Sequence, residues 1–208
     1  ASRARLTEIV AELKRREAVR SESLADFVPR VSPQFVAPLH LAPALDVFER
    51  IARGERVRAC ISIPPQHGKT EAVLHALAWL LRRRPDWTFA FATYQQEQSD
   101  DKSHAARDIA RRAGVALSAD RANLRFWRTG DRGGCLFTAV GGPFTGQGVR
   151  AAIVDDPYKG RSEALSDATR KHVERWFSSV VLQRGQEDLS VVVIHTRWCE
   201  DDLIGRIA

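Results

Sequence analysis

Five short apolar segments, at residues 57–63, 87–92, 135–140, 151–154 and 189–194, recur along the chain, and several are apolar at consecutive positions. A strand with one wet face alternates apolar with polar, so an unbroken apolar run marks a strand covered on both faces. Between these segments lie stretches of helical periodicity, at 70–84, 95–113 and 163–182. Strands alternating with helices predict a three-layer α/β domain around a mostly parallel sheet. The 208 residues, 44% of them hydrophobic, are enough for one such domain with a sizeable core. No apolar run reaches the roughly 18 residues that span a bilayer, and the best, 72–81, is interrupted by His75. Residues 1–22 are basic but carry no apolar stretch of the secretory type. Cys60, Cys135 and Cys199 are odd in number and far apart, which predicts reduced thiols and neither a zinc site nor a disulfide framework.

Ahead of the sheet, Leu6, Ile9, Val10 and Leu13 fall at helical spacing and predict a helix over 1–20. Pro29, Pro33, Pro38 and Pro43 then punctuate a stretch that reads as irregular, and a helix over 42–53 follows, stopped by Gly54. The expected organisation is an N-terminal helical extension, 1–34, and one domain, 35–208, with no internal repeat.

Chemistry concentrates where apolar segments end. Pro64-Pro65-Gln66-His67-Gly68-Lys69-Thr70 joins a buried-looking strand to a helix. Loop amides and a helix N-terminus offer positive potential, Gly68 lets the backbone approach an oxygen, and Lys69 adds a point charge. Thr70 would put a hydroxyl on Mg²⁺. The usual GxxxxGK[ST] pattern is degenerate here, with Ile63 at its first glycine. A plain helix start with a solvent-facing lysine reads the same letters differently. The 151–154 segment ends in Asp155-Asp156-Pro157, 86 residues after Lys69. Ligands of open parallel sheets gather at the carboxyl ends of strands. There Asp155 would hold Mg²⁺ and Asp156 would orient or deprotonate water, although Asp before Pro also opens helices. The last segment ends in His195-Thr196-Arg197, where Thr196 could sense a phosphate or simply satisfy a strand end. His195 reads as a packed, hydrogen-bonded histidine.

The net charge is +6, and residues 102–132 hold eight basic against three acidic side chains. That excess fits a polyanion or a solvated arginine-rich face. Phe126 and Trp127 within it read as core.

Together these residues resemble the ATPase domain of the large terminase subunit of tailed bacteriophages, which packages DNA into procapsids. The resemblance is carried by residues 64–70 with Glu71; by Gly141-Gly142 with Thr145-Gly146-Gln147-Gly148; by Asp155-Asp156-Pro157 with Lys159; and by Arg197-Trp198, Glu200-Asp201-Asp202-Leu203 and Gly205-Arg206. It implies an additional-strand P-loop core in which the strand ending at Thr196 lies between the phosphate-loop strand and the Asp155 strand. It implies ATP, bound by Gln66, His67, Gly68, Lys69, Thr70 and Glu71 with His40 near the adenine, and Mg²⁺, held by Thr70 and Asp155. Lys69, Asp156 and Thr196 take the catalytic roles, Thr196 within the family's coupling motif. Implied partners are double-stranded DNA, a homo-oligomeric ring (a pentamer), the portal protein and the small terminase subunit, in the host cytoplasm and without a membrane.

Three positions depart from the family pattern. Asp156 stands where many relatives have Glu, Gln147 where an arginine is common, and Cys199 where His is common. A trans-acting arginine would then be Arg150, Arg161, Arg197 or one of the arginines between 121 and 132. The family's nuclease domain is expected to be absent from this chain, which carries no later carboxylate cluster. Two other readings of the phosphate loop remain, a helicase-like DNA translocase and a nucleotide-binding switch without turnover; a DNA-binding module with a vestigial loop is a third.

Overall fold

The computed structural model describes residues 2–35, 38–144, 148–183 and 188–208. Two helices open the chain, α1 (Ser2–Ser21) and α2 (Leu24–Val31). After a 3₁₀ turn (Leu39–Leu41) come α3 (Ala42–Ala52), β1 (Arg58–Ser62), α4 (Lys69–Arg83), β2 (Thr88–Thr93) and α5 (Gln96–Arg112). Then follow β3 (Leu117–Ala122), β4 (Phe126–Thr129), β5 (Gly134–Ala139) and β6 (Val149–Asp155). The chain continues through α6 (Arg161–Leu165), α7 (Asp167–Trp176), a π-helical turn (Phe177–Leu182), β7 (Ser190–His195) and α8 (Leu203–Ile207).

The seven strands form one sheet in the order β1-β7-β6-β2-β5-β4-β3. From β1 to β5 all neighbours are parallel, and β4 and β3 extend the sheet antiparallel. Side chains alternate between two cores. Phe89, Phe91, Ile153, Val192 and Ile194 pack under α2 to α5, whereas Ala90, Ala92, Val154, Val191 and Val193 pack against α7, the π turn and α8. Both faces are covered, which is why β2 and β7 are buried at every position. The three-layer α/β expectation holds, and β7 does lie between β1 and β6.

Several local expectations are corrected. Residues 24–31, read as irregular because of Pro29, form α2. The Ser23 hydroxyl caps it by accepting from the Asp26 amide at 3.1 Å, and Leu24, Phe27, Val28 and Val31 are buried. Burial of that face outweighs the backbone bond lost at Pro29. The single helix expected over 163–182 is broken at Ser166, whose extended backbone and hydroxyl cap α7. β1 is not buried on both faces: it is an edge strand whose Arg58, Cys60 and Ser62 are exposed, because it pairs with β7 alone. The 117–129 stretch, read only for its charge, holds β3 and β4; Trp127 is core as expected, whereas Phe126 is half-exposed. α1 forms, but Leu6, Ile9, Val10 and Leu13 stay exposed. Its C-terminal end is pinned by Arg83 donating to the Val19 and Glu22 carbonyls and by Trp79 Nε1 donating to Glu22 O.

Candidate active site

Parallel strands β1, β7 and β6 end side by side, and each delivers part of one cluster. The loop after β1 turns twice through left-handed backbone, at Gln66 (φ 61°) and Gly68 (φ 79°). Gly68 is required there: a Cβ would meet Leu41 Cδ1 and Phe35 Cε2 at 3.3 Å as well as carry the positive φ. No side chain caps α4 at this end, so its first-turn amides remain available to an anion. His67 is exposed and its Nδ1 lies 2.7 Å from Pro65 O, while His40 Nε2 lies 3.0 Å from His67 O. His40 thus sits against the loop.

Lys69 opens α4 and is nearly buried, with Nζ 2.8 Å from Asp156 Oδ2 and 3.4 Å from Thr196 Oγ1. The Thr70 hydroxyl donates to Asp155 Oδ2 at 2.6 Å. Asp156 follows β6 in left-handed backbone (φ 45°), a conformation Asp tolerates better than most residues. Its Oδ1 accepts the Thr196 amide at 3.2 Å, and the Thr196 hydroxyl donates to Ile63 O at 3.2 Å. Residues up to 133 positions apart in sequence therefore form one hydrogen-bonded unit across three strand ends.

Burial and the neighbouring Asp156 charge push the Asp155 carboxyl up to about 7, against the pull of the Thr70 hydroxyl, Lys69 and Lys102. Its Oδ1 is buried without a hydrogen-bond partner. Among the described residues no group of three or more His, Cys, Asp or Glu could hold a metal. An orphaned carboxylate oxygen beside a hydroxyl nonetheless suits Mg²⁺, which takes hard oxygen donors and keeps several waters. The residues present fit that ion.

His195 points away from this cluster. Its Nδ1 lies 2.7 Å from Thr196 O, its ring is buried, and desolvation lowers its affinity for a proton. Of the candidate arginines, Arg197 is consumed within its own loop, donating to Asp202 and to the Cys199 and Glu200 carbonyls. Arg150 lies near the N-terminal end of β6, at the opposite ends of the strands, paired with Asp188 and stacked on Trp87. Arg161 is exposed at the start of α6, just beyond the Asp155-Asp156 loop. Gln147, with Thr145 and Gly146, lies outside the described residues, as does the Arg121 side chain. Lys102 was not singled out by sequence, since helical charge alone did not distinguish it. It lines a cavity of about 300 Å³ with Gln66, Gly68, Lys69, Thr70 and Glu71.

A glycine-bearing loop leaving an edge strand, a second strand inserted next to it and a carboxylate-ending third strand thus form one end of a mostly parallel α/β sheet. Among solved structures the chain is similar to the large terminase ATPase domain of Thermus phage P74-26, at 16% identity and a TM-score of 0.41, and to a mutant of that domain, at 14% and 0.42. Each match covers 72% of this chain and 63% of the phage domain. No protein-family model matches the chain, and a search of curated proteins returns no significant match.

Proposed function

We propose that this chain is a Mg²⁺-dependent ATPase whose turnover drives double-stranded DNA into a procapsid. One observation carries the hydrolytic half: the Lys69 ammonium, the Thr70 hydroxyl, two adjacent carboxylates and Thr196 meet through contacts of 2.6 to 3.4 Å. The packaging half is supported by the order of motifs along the sequence. The triphosphate lies along the loop after β1, with loop amides and the first turn of α4 on its oxygens. Lys69 exchanges Asp156 for the β- and γ-phosphate oxygens. Thr70 and Asp155 would hold Mg²⁺, which would supply charge neutralisation to the phosphates.

Asp156, released by Lys69 but still held by the Thr196 amide, orients a water and takes its proton. The water oxygen bonds to the terminal phosphorus as the bond to the β–γ bridging oxygen breaks, leaving ADP and phosphate. Thr196 contacts both Lys69 and Ile63 O, so loss of the terminal phosphate is felt by β7 and the segment after it. Such motors work as rings on a portal, and a trans-acting arginine would come from Arg150, Arg161, Arg197 or one of those between 121 and 132.

The test is phosphate release from ATP and Mg²⁺, with and without duplex DNA, by the parent and by Lys69→Ala. The parent turns over and the variant does not. Equal rates would remove the phosphate-loop assignment, and ATP binding without release, even with DNA, would favour the switch reading. Strand displacement would favour the helicase reading.

A further inference from the structure

The cavity above the phosphate loop has a second wall, and that wall carries its own cation. On one side stand Gln66, Gly68, Lys69, Thr70, Glu71 and Leu74; on the other stand Asp101, Lys102 and Ala105 of α5. We infer that Lys102 is a second phosphate-binding residue of this pocket, one that reaches the terminal phosphate of a nucleoside triphosphate from the wall facing Lys69. The inference rests on the nucleotide reading above and names a contact that reading does not contain.

Three observations support it. First, the charges of the pocket are unequally committed. Lys69 is held by Asp156 at 2.8 Å, and Glu71 leans toward the buried His75, with Oε1 3.5 Å from Nδ1. Asp101 is exposed at the rim. Among the described residues no carboxylate forms an ion pair with Lys102, which is half-buried and so can turn its ammonium into the cavity. Long side chains bury their stems and keep the charged head where an anion or water can meet it.

Second, the wall is fixed. Ser99 and Ser103, on either side of Lys102, are fully buried, and Ser103 Oγ accepts from Trp127 Nε1 at 3.2 Å. This contact pins α5 to β4, and Gln96 Nε2 donates to Asp100 Oδ1 one turn earlier. Lys102 is therefore carried by a helix that does not need to close over the ligand. Third, the position is close to the residues that would hold Mg²⁺: Lys102 lines the same cavity as Thr70, whose hydroxyl donates to Asp155 Oδ2 at 2.6 Å. A cation there meets oxygens that ATP has and ADP lacks.

Calorimetric titration of the whole chain with Mg²⁺-ATP and Mg²⁺-ADP tests this, using the parent, Lys102→Ala, Lys102→Arg and Lys69→Ala, each checked for its melting transition. Lys102→Ala should weaken ATP about tenfold, the scale of one charge-assisted contact, and leave ADP within about twofold. Lys102→Arg should recover most of the loss. ATP affinity unchanged in Lys102→Ala, or ATP and ADP weakened alike, overturns the inference. If Lys69→Ala loses ATP while Lys102→Ala keeps it, Lys102 alone is wrongly assigned. If the parent binds no ATP, or Lys69→Ala binds it equally well, the nucleotide pocket itself fails and this inference with it.

Discussion

The Lys69 ammonium lies 2.8 Å from the Asp156 carboxylate, so two groups with opposite proposed roles neutralise each other before nucleotide arrives. Removing the acid should therefore separate binding from turnover. Asp156→Asn is expected to lower phosphate release by 100-fold or more, on the order of a lost general base, while ATP binding stays intact or tightens because Lys69 is freed. Equilibrium titration beside a turnover assay reads both, and weakened binding in that variant would refute the competition. Asp155 offers a pH test. Its carboxyl is raised to about 7, whereas in the unfolded chain it ionises near 3.9. Between those values the folded protein binds more protons, so this group's contribution to stability falls as pH rises from about 4 to 7. The buried His75 and His195 are lowered by desolvation and act in the opposite sense, losing stability as pH falls. The difference between parent and Asp155→Asn isolates the aspartate. Melting in the absence of Mg²⁺ should show the variant gaining on the parent from pH 5 to pH 8, and parallel profiles would contradict the buried-carboxyl account.

At the scale of elements, α2 and the phosphate loop each depend on a feature of packing. Phe27 is fully buried among residues of the α3–α4 side of the core, so Phe27→Ala should cost about 3–5 kcal/mol in denaturant unfolding. A cost below about 1 kcal/mol would mean that α2 is a detachable extension. In the loop, Gly68→Ala must place a Cβ at positive φ against Leu41 and Phe35. The strain, on the order of 1–2 kcal/mol, falls on the turn that aims the α4 amides. Nucleotide affinity should therefore drop more than the melting temperature implies. Here sequence and structure agree, since Gly68 was legible from its place between strand and helix. The α2 helix was not legible, because Pro29 and the surrounding prolines masked a buried stripe of four apolar residues.

For the molecule as a whole, the basic excess between 102 and 132 is distributed over several elements rather than one helix face. Lys102 faces the cavity, Arg111 and Arg112 are exposed at the end of α5, Arg125 is exposed beside β4, and Arg128 lies over the Phe126 ring. A motor that grips duplex without reading sequence should bind weakly, with log affinity falling linearly as log salt rises. Charge reversal at Arg125 and Arg128 should reduce both affinity and salt slope in fluorescence anisotropy. Unchanged values, with lower turnover in an assembled ring, would assign that surface to a neighbouring subunit.

The sequence by itself determined the layers and the strand ends. Runs of apolar residues fix which segments are covered on both faces, and the residues that break those runs fix where polar chemistry can emerge. Both are properties of contiguous chain, so 64–70 and Asp155-Asp156 could be read without coordinates. Tertiary structure alone decided what those ends do to one another. The insertion of β7 beside β1, the Lys69–Asp156 pair, the Thr196 amide on Asp156 and the approach of Lys102 all join segments 33 to 133 positions apart. Sheet order and helix packing set those distances, and no local periodicity records them.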